Sequence, residues 1–269
     1  MGCSPTRHRS QLSKLDSPSK LDAPCITQER SIETPGVSPN RKLLLAYYAN
    51  ETTMNGKLKG LFEAIFAKEE LEVTTIDLSY HNLNVREIYH LQFVLQNFQN
   101  LRELKLNNTE ITSKDIKRLY SSLELMPMMQ VLELQGNAIC NEGIKYLTKL
   151  FFRTMKSLKV LNLSNNRFGD EGIATLCKGL LSLRCLEELR LNSNNIYSRG
   201  LILLSQTLCQ IKTLKRLGLA GNPIDFESVR VLVRSIRSNV NLKELDLSRN
   251  GLSKQVKYML PEGQAVIKA

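Results

Sequence analysis

The chain has 269 residues, 42% of them hydrophobic but only 6% aromatic and none Trp, which allows a sizeable core and argues against an aromatic-lined sugar or nucleobase site. Lys and Arg number 37 against 26 Asp and Glu, and the resulting +11 favours acidic partners over basic ones. No stretch approaches the roughly 18 uninterrupted apolar residues of a membrane span, and the start lacks the apolar core of a secretory signal, so the chain is expected in the cytoplasm.

Residues 1–42 hold five of the eight prolines and many Ser and Thr, the composition of a disordered, basic tail. They open Met1-Gly2-Cys3-Ser4-Pro5-Thr6, which fits the N-myristoylation pattern M-G-x-x-x-[ST]. Gly2 is the predicted myristoyl site and Cys3 the predicted palmitoyl site; the pair resembles the doubly acylated start of Src-type membrane-anchored proteins. One myristoyl chain binds a membrane only marginally. Arg7, Arg9, Lys14 and Lys20 supply a further signal, each worth about 1 kcal/mol near an anionic leaflet. Ser17-Pro18, Thr34-Pro35 and Ser38-Pro39 read as proline-directed phosphosites, where added phosphate would weaken a basic anchor.

Residues 43–72 carry an amphipathic stretch, Leu58, Leu61, Phe62, Ile65 and Phe66, without the pattern that follows, and are expected to form a degenerate N-terminal capping repeat. From Val73 the text repeats on LxxLxLxxNxL. Blocks start at Val73, Leu101, Met129, Leu158, Leu186, Leu214 and Leu242, spaced by 28 residues except for one step of 29. Positions 4 and 6 of each block are apolar between polar neighbours, as in Leu104 and Leu106, which marks a short strand. Positions 16, 19 and 23, as in Ile116, Leu119 and Leu123, mark one buried helical face. Thr112-Ser113, Gly169-Asp170 and Asp225 stand where helix N-caps are needed. Residues 253–269 break the pattern, with Lys257 and Gln264 at apolar positions, and are expected to form a C-terminal cap.

One strand–turn–helix unit cannot bury its own apolar face, so units must stack. Strands pack about 4.8 Å apart and helices roughly 8–10 Å apart, so the stack curves with strands inside. Asn137, Asn166, Asn194, Asn222 and Asn250 fill position 9, where an amide can satisfy turn groups as both donor and acceptor. On this motif, residues 73–252 resemble a leucine-rich-repeat protein of the ribonuclease-inhibitor type. The resemblance implies an α/β leucine-rich-repeat solenoid of seven repeats, a horseshoe with parallel strands on the concave face and helices on the convex face. His81 and Thr109 replace the Asn in the first two blocks, so those turns are expected to depart from the rest.

Outward strand positions 2, 3, 5, 7 and 8 carry nearly balanced charge with Tyr80 as their one aromatic. Arg102, Lys105, Arg190, Lys215 and Arg216 are the candidate partner-binding residues. The helical segments hold much of the positive excess, including the i, i+4, i+7 stripe Arg230, Arg234 and Arg237. Cys3, Cys25, Cys140, Cys177, Cys185 and Cys209 show no zinc-ligand spacing and read as reduced thiols, with Cys177 and Cys209 in the core. His90 reads as a helix-flank residue. No catalytic motif, cofactor or metal site is expected, and no nucleic acid or small-molecule substrate.

The resulting expectation is a non-catalytic protein-interaction scaffold, held by lipid at the cytoplasmic face of a membrane and binding an acidic protein. Two alternatives stay open. One is a GTPase regulator resembling Ran GTPase-activating proteins, although the acidic C-terminal segment usual there is missing; the other is a structural subunit of a cytoskeletal or ciliary assembly. The inhibitor members capture basic ribonucleases, which a +11 chain would repel.

Overall fold

The computed structural model describes residues 73–96, 100–252, 256, 258–259 and 266–268. The tail with Gly2 and Cys3 and the expected capping repeat at 43–72 lie outside the described residues, as does most of the expected C-terminal cap.

Each block opens with a three-residue strand: β1 Thr75–Asp77, β2 Glu103–Lys105, β3 Val131–Glu133, β4 Val160–Asn162, β5 Glu188–Arg190, β6 Arg216–Gly218 and β7 Glu244–Asp246. The middle residue points inward and is buried in every case, from Ile76 to Leu245, while its neighbours face the other side. The strands pair in sequence order, all parallel, and the inward residues stand opposite one another: Ile76, Leu104, Leu132, Leu161, Leu189, Leu217, Leu245. A final strand, β8 Val266–Lys268, extends the sheet beside β7 and lies in the segment read from sequence as a cap.

Helices α1 Val85–Leu95, α2 Ser113–Leu123, α3 Asn141–Arg153, α4 Gly169–Leu180, α5 Ser198–Leu208 and α6 Phe226–Ile236 follow β1 to β6, and consecutive helices pack against each other. Positions 16, 19 and 23 of each are buried against the sheet, as the 3.6-residue period requires. The single 29-residue step leaves the sheet undisturbed. Leu132 still faces Leu161, and α3 runs 13 residues where α2 runs 11. Helix starts are held locally. Asn84 accepts from Arg86 N and Glu87 N, Glu87 accepts from Asn84 N, and Asp225 accepts from Ser228 N.

The position-9 asparagines stitch repeats together. Nδ2 of Asn166 donates to Leu163 O and Ser164 O in its own repeat and to Leu134 O in the one before, while Oδ1 accepts from Ile139 N. Its backbone N–H donates to Oδ1 of Asn194, which begins the next link. Thr109 supplies part of this. Its hydroxyl donates to Leu106 O at 2.9 Å, and its N–H donates to Asn137 Oδ1 at 3.2 Å. His81 keeps one contact, Nδ1 to Ser79 O at 2.9 Å. Both turns take the same left-handed position-8 conformation as the others, against expectation; in the second, Asn137 of the neighbouring repeat accepts from Thr109 N and Ile111 N.

Position 8 turns the chain away from the sheet in left-handed conformation at Tyr80, Asn108, Gly136, Asn165, Ser193, Gly221 and Arg249. Tyr80, the one aromatic of the outward positions, stands at this turn, 77% exposed. At Gly136, φ is +69° and a Cβ would meet Asn108 Oδ1 at 1.9 Å, so any larger residue is strained there and must displace the Asn108 amide.

Candidate partner-binding face

The outward positions of the strands form two rows. One runs Thr75, Glu103, Val131, Val160, Glu188, Arg216, Glu244, Val266; the other runs Asp77, Lys105, Glu133, Asn162, Arg190, Gly218, Asp246, Lys268. Parallel in-register stacking brings residues 28 positions apart to within about 4.8 Å of strand spacing, so charges distant in sequence become partners.

Glu188 organises the centre of the face. Its carboxylate is 4% exposed, one oxygen paired with Arg190 and the other accepting from Arg216 Nε at 2.6 Å. The sequence places Glu188 outward. It does face that way, but two guanidinium groups cover it and bury it. The Arg190 guanidinium also stands 3.9 Å from Glu133, which accepts from Asn107 Nδ2 at 2.7 Å. One polar network thus runs Asn107–Glu133–Arg190–Glu188–Arg216 across β2 to β6. Beside it Lys215 pairs with Glu187 at 2.8 Å, and hydrogen bonding from that lysine holds the Glu187 carboxyl below the usual range. The Glu188 carboxylate raises the Arg216 pKa by accepting its hydrogen bond.

Of the five candidate residues, the structure gathers Arg190, Lys215 and Arg216 into one cluster. Lys105 and Arg102 sit on and just before β2, three strands away, or about 14 Å by strand spacing. Lys105 pairs with Glu103 at 3.1 Å, chiefly through a hydrogen bond that raises its pKa, and Arg102 is exposed. Sequence reasoning missed Glu188 and Glu133 as the organising groups. The signal available was their recurrence at one register opposite basic residues in neighbouring blocks.

Elsewhere the groups singled out from sequence take bland positions. Cys177 is buried, and burial pushes its thiol up. Cys209 is half-buried at the end of α5, not in the core, because position 24 leaves the buried face. His90 is buried at 2% exposure, where the sequence suggested a flank. Among the described residues no three His, Cys, Asp or Glu side chains form a metal-binding group, and no helix is long and apolar enough to cross a membrane. A shallow groove of about 450 Å³ runs along the turns, lined by Asn108, Gly136, Asn165, Arg167, Ser193 and Gly221 among others, with no acid, His or Cys in its lining.

A family model described as Leucine Rich repeat matches residues 154–177, 182–205 and 238–254, inside the stacked strand–helix units. The chain is a leucine-rich-repeat protein. Its repeats are similar to those of Protein CARMIL of Dictyostelium discoideum, 29% identical over 41% of this chain and 11% of that protein. They are also similar to mouse ribonuclease inhibitor, 29% identical over 56% of this chain and 33% of that protein. The chain thus spans a third or less of these two relatives. Among solved structures, the tropomodulin C-terminal domain of Caenorhabditis elegans aligns at TM-score 0.49 and 18% identity, over 57% of this chain and 93% of that one.

Proposed function

We propose that this leucine-rich-repeat protein is a non-catalytic protein-interaction scaffold. It takes a polar, charge-patterned protein on its strand face and is held at the cytoplasmic face of a membrane by acylation of Gly2 and Cys3. The observation that carries the strand-face reading is the network around Glu188. Three cations, Arg190, Lys215 and Arg216, are pinned in place by carboxylates yet remain about half-exposed, so they are oriented before any partner arrives. A face built this way selects a partner by charge pattern. The mouse relative is by name an inhibitor, a protein that works by binding another; here the excess of positive charge directs the choice to acidic partners.

The strand-face reading is tested by co-purification from the native cell with Arg190→Ala/Arg216→Ala beside the parent. The expected result is loss of the partner with melting lowered by only a few degrees, so that the variant stays folded; retention of the same partner would overturn it. The tether is tested by the intact mass of the native protein. A gain of about 210 Da at Gly2, with or without a further ~238 Da at Cys3, is expected, and a free or acetylated N-terminus would sink it. The GTPase-regulator alternative requires faster GTP hydrolysis by a purified small GTPase. The cytoskeletal alternative requires salt-sensitive filament binding that survives loss of Gly2.

A further inference from the structure

The loops that lead from each helix to the next strand stack along one edge of the repeat region. Backbone N–H groups of Gln130, Lys159, Glu187, Lys215 and Lys243 each donate to the carbonyl one repeat earlier at 2.7–2.8 Å, starting from Arg102 O. This row is therefore continuous along the edge. In the loops just before it stand Lys156, Arg184 and Lys212, all exposed, and Lys212 Nζ reaches Ser238 Oγ of the next loop at 2.7 Å. The acids of this edge are few and engaged: Glu187 by Lys215 at 2.8 Å and Glu124 by Arg153 at 2.5 Å. Lys156 Nζ donates to Phe152 O at the C-terminal end of α3 at 2.5 Å, whereas Arg184 and Lys212 lie beyond the last turns of their helices, so helix dipoles do not account for those two.

Apolar side chains are set among these cations. Leu125 and Met128 in the loop after α2, Phe152 in the last turn of α3 and Leu181 just after α4 stand about half-exposed, and Val240 is 82% exposed. They are spread singly along the edge. Single apolar tips amid lysines with long aliphatic stems suit the boundary of a bilayer, where tips enter the acyl region and ammonium groups meet phosphate.

We infer that this edge is a docking surface for an anionic lipid bilayer. Five successive connections at about 4.8 Å per strand present a basic, apolar-tipped line roughly 19 Å long. The inference rests on the reading that the chain works at a membrane. It adds that the repeats themselves lie against the lipid, leaving the strand face open sideways to a protein.

The test omits the acyl groups. Full-length chain carrying Gly2→Ala is sedimented with phosphatidylcholine vesicles, with and without phosphatidylserine. It is then compared with the same chain also carrying Lys156→Gln, Arg184→Gln and Lys212→Gln. Binding that requires phosphatidylserine is expected. Each cation near such a surface contributes roughly five-fold, so the triple variant should partition about a hundred-fold more weakly, with unchanged melting because all three side chains are exposed. The basic tail is common to both proteins and cannot produce the difference. A separate Phe152→Ser variant should also bind more weakly. Equal vesicle binding by parent and triple variant would overturn the inference. So would an effect confined to polyglutamate, which would assign the edge to an acidic protein. Acylation of Gly2 is read from native mass, so either claim can fail alone.

Discussion

Replacing Asn166 by Ala tests the stitching of the repeats at its centre. The amide is buried, accepts from Ile139 N at 3.0 Å, and donates to Leu134 O, Leu163 O and Ser164 O at 3.0, 3.0 and 3.2 Å. The three carbonyls keep other donors: Asn137 Nδ2, Asn194 Nδ2 and Gly136 N respectively. Their loss costs little each. Ile139 N sits buried, with the Asn166 amide as its hydrogen-bond acceptor, and orphaning such a donor costs about 1–3 kcal/mol. The sum is about 3 kcal/mol. In the last such turn, Asn250 makes two of these bonds but is itself half-buried, so water can take the place of its amide, and Asn250→Ala should cost about 1 kcal/mol. Urea denaturation of both variants reads the difference, and at 2–4 °C per kcal/mol the Asn166 variant should melt about 6–12 °C lower. An Asn166→Ala cost no greater than that of Asn250→Ala would refute the ladder argument.

Three further outcomes follow from the same geometry. Glu188→Ala frees two guanidinium groups that solvent already reaches, so the loss should be about 1–2 kcal/mol and not the 3–5 of a fully buried pair, measured by urea titration. Cys140 is exposed, and the Ser113 hydroxyl together with backbone N–H groups of α3 holds its thiol below the usual range. Iodoacetamide at neutral pH should therefore label it well before buried Cys177, as read by peptide mass. Asp225 is depressed by the Ser228 N–H and then by the Ser198 hydroxyl, so its contribution is present above the ordinary carboxylate pKa and fades as pH falls through the lower folded value. Asp225→Ala should flatten that acidic part of the stability profile.

The repeat architecture was legible because it rests on local rules: alternation around Leu104, a 3–4 spacing through Ile116, Leu119 and Leu123, and an Asn at a fixed offset. The site was less so. Whether Glu188 is a surface acid or the buried centre of a network depends on which residues stand beside it one repeat away, and that follows only once the register is fixed. The left-handed turn at position 8 was likewise hidden. Asn, Gly, Ser, Tyr and Arg all occupy that position, so no single residue type announces the turn. β8 lacks the repeat motif altogether and shows itself only through its pairing with β7.

Lysine cross-linking of the protein bound to its partner in native cells tests the strand-face account most directly. Lys105 and Lys215 report on the strand face and Lys117 and Lys149 on the exposed side of the helices. Cross-links to partner peptides through Lys105 and Lys215, lost in Arg190→Ala/Arg216→Ala, are the expected result. Partner cross-links confined to Lys117 and Lys149 and unchanged by that substitution would contradict it.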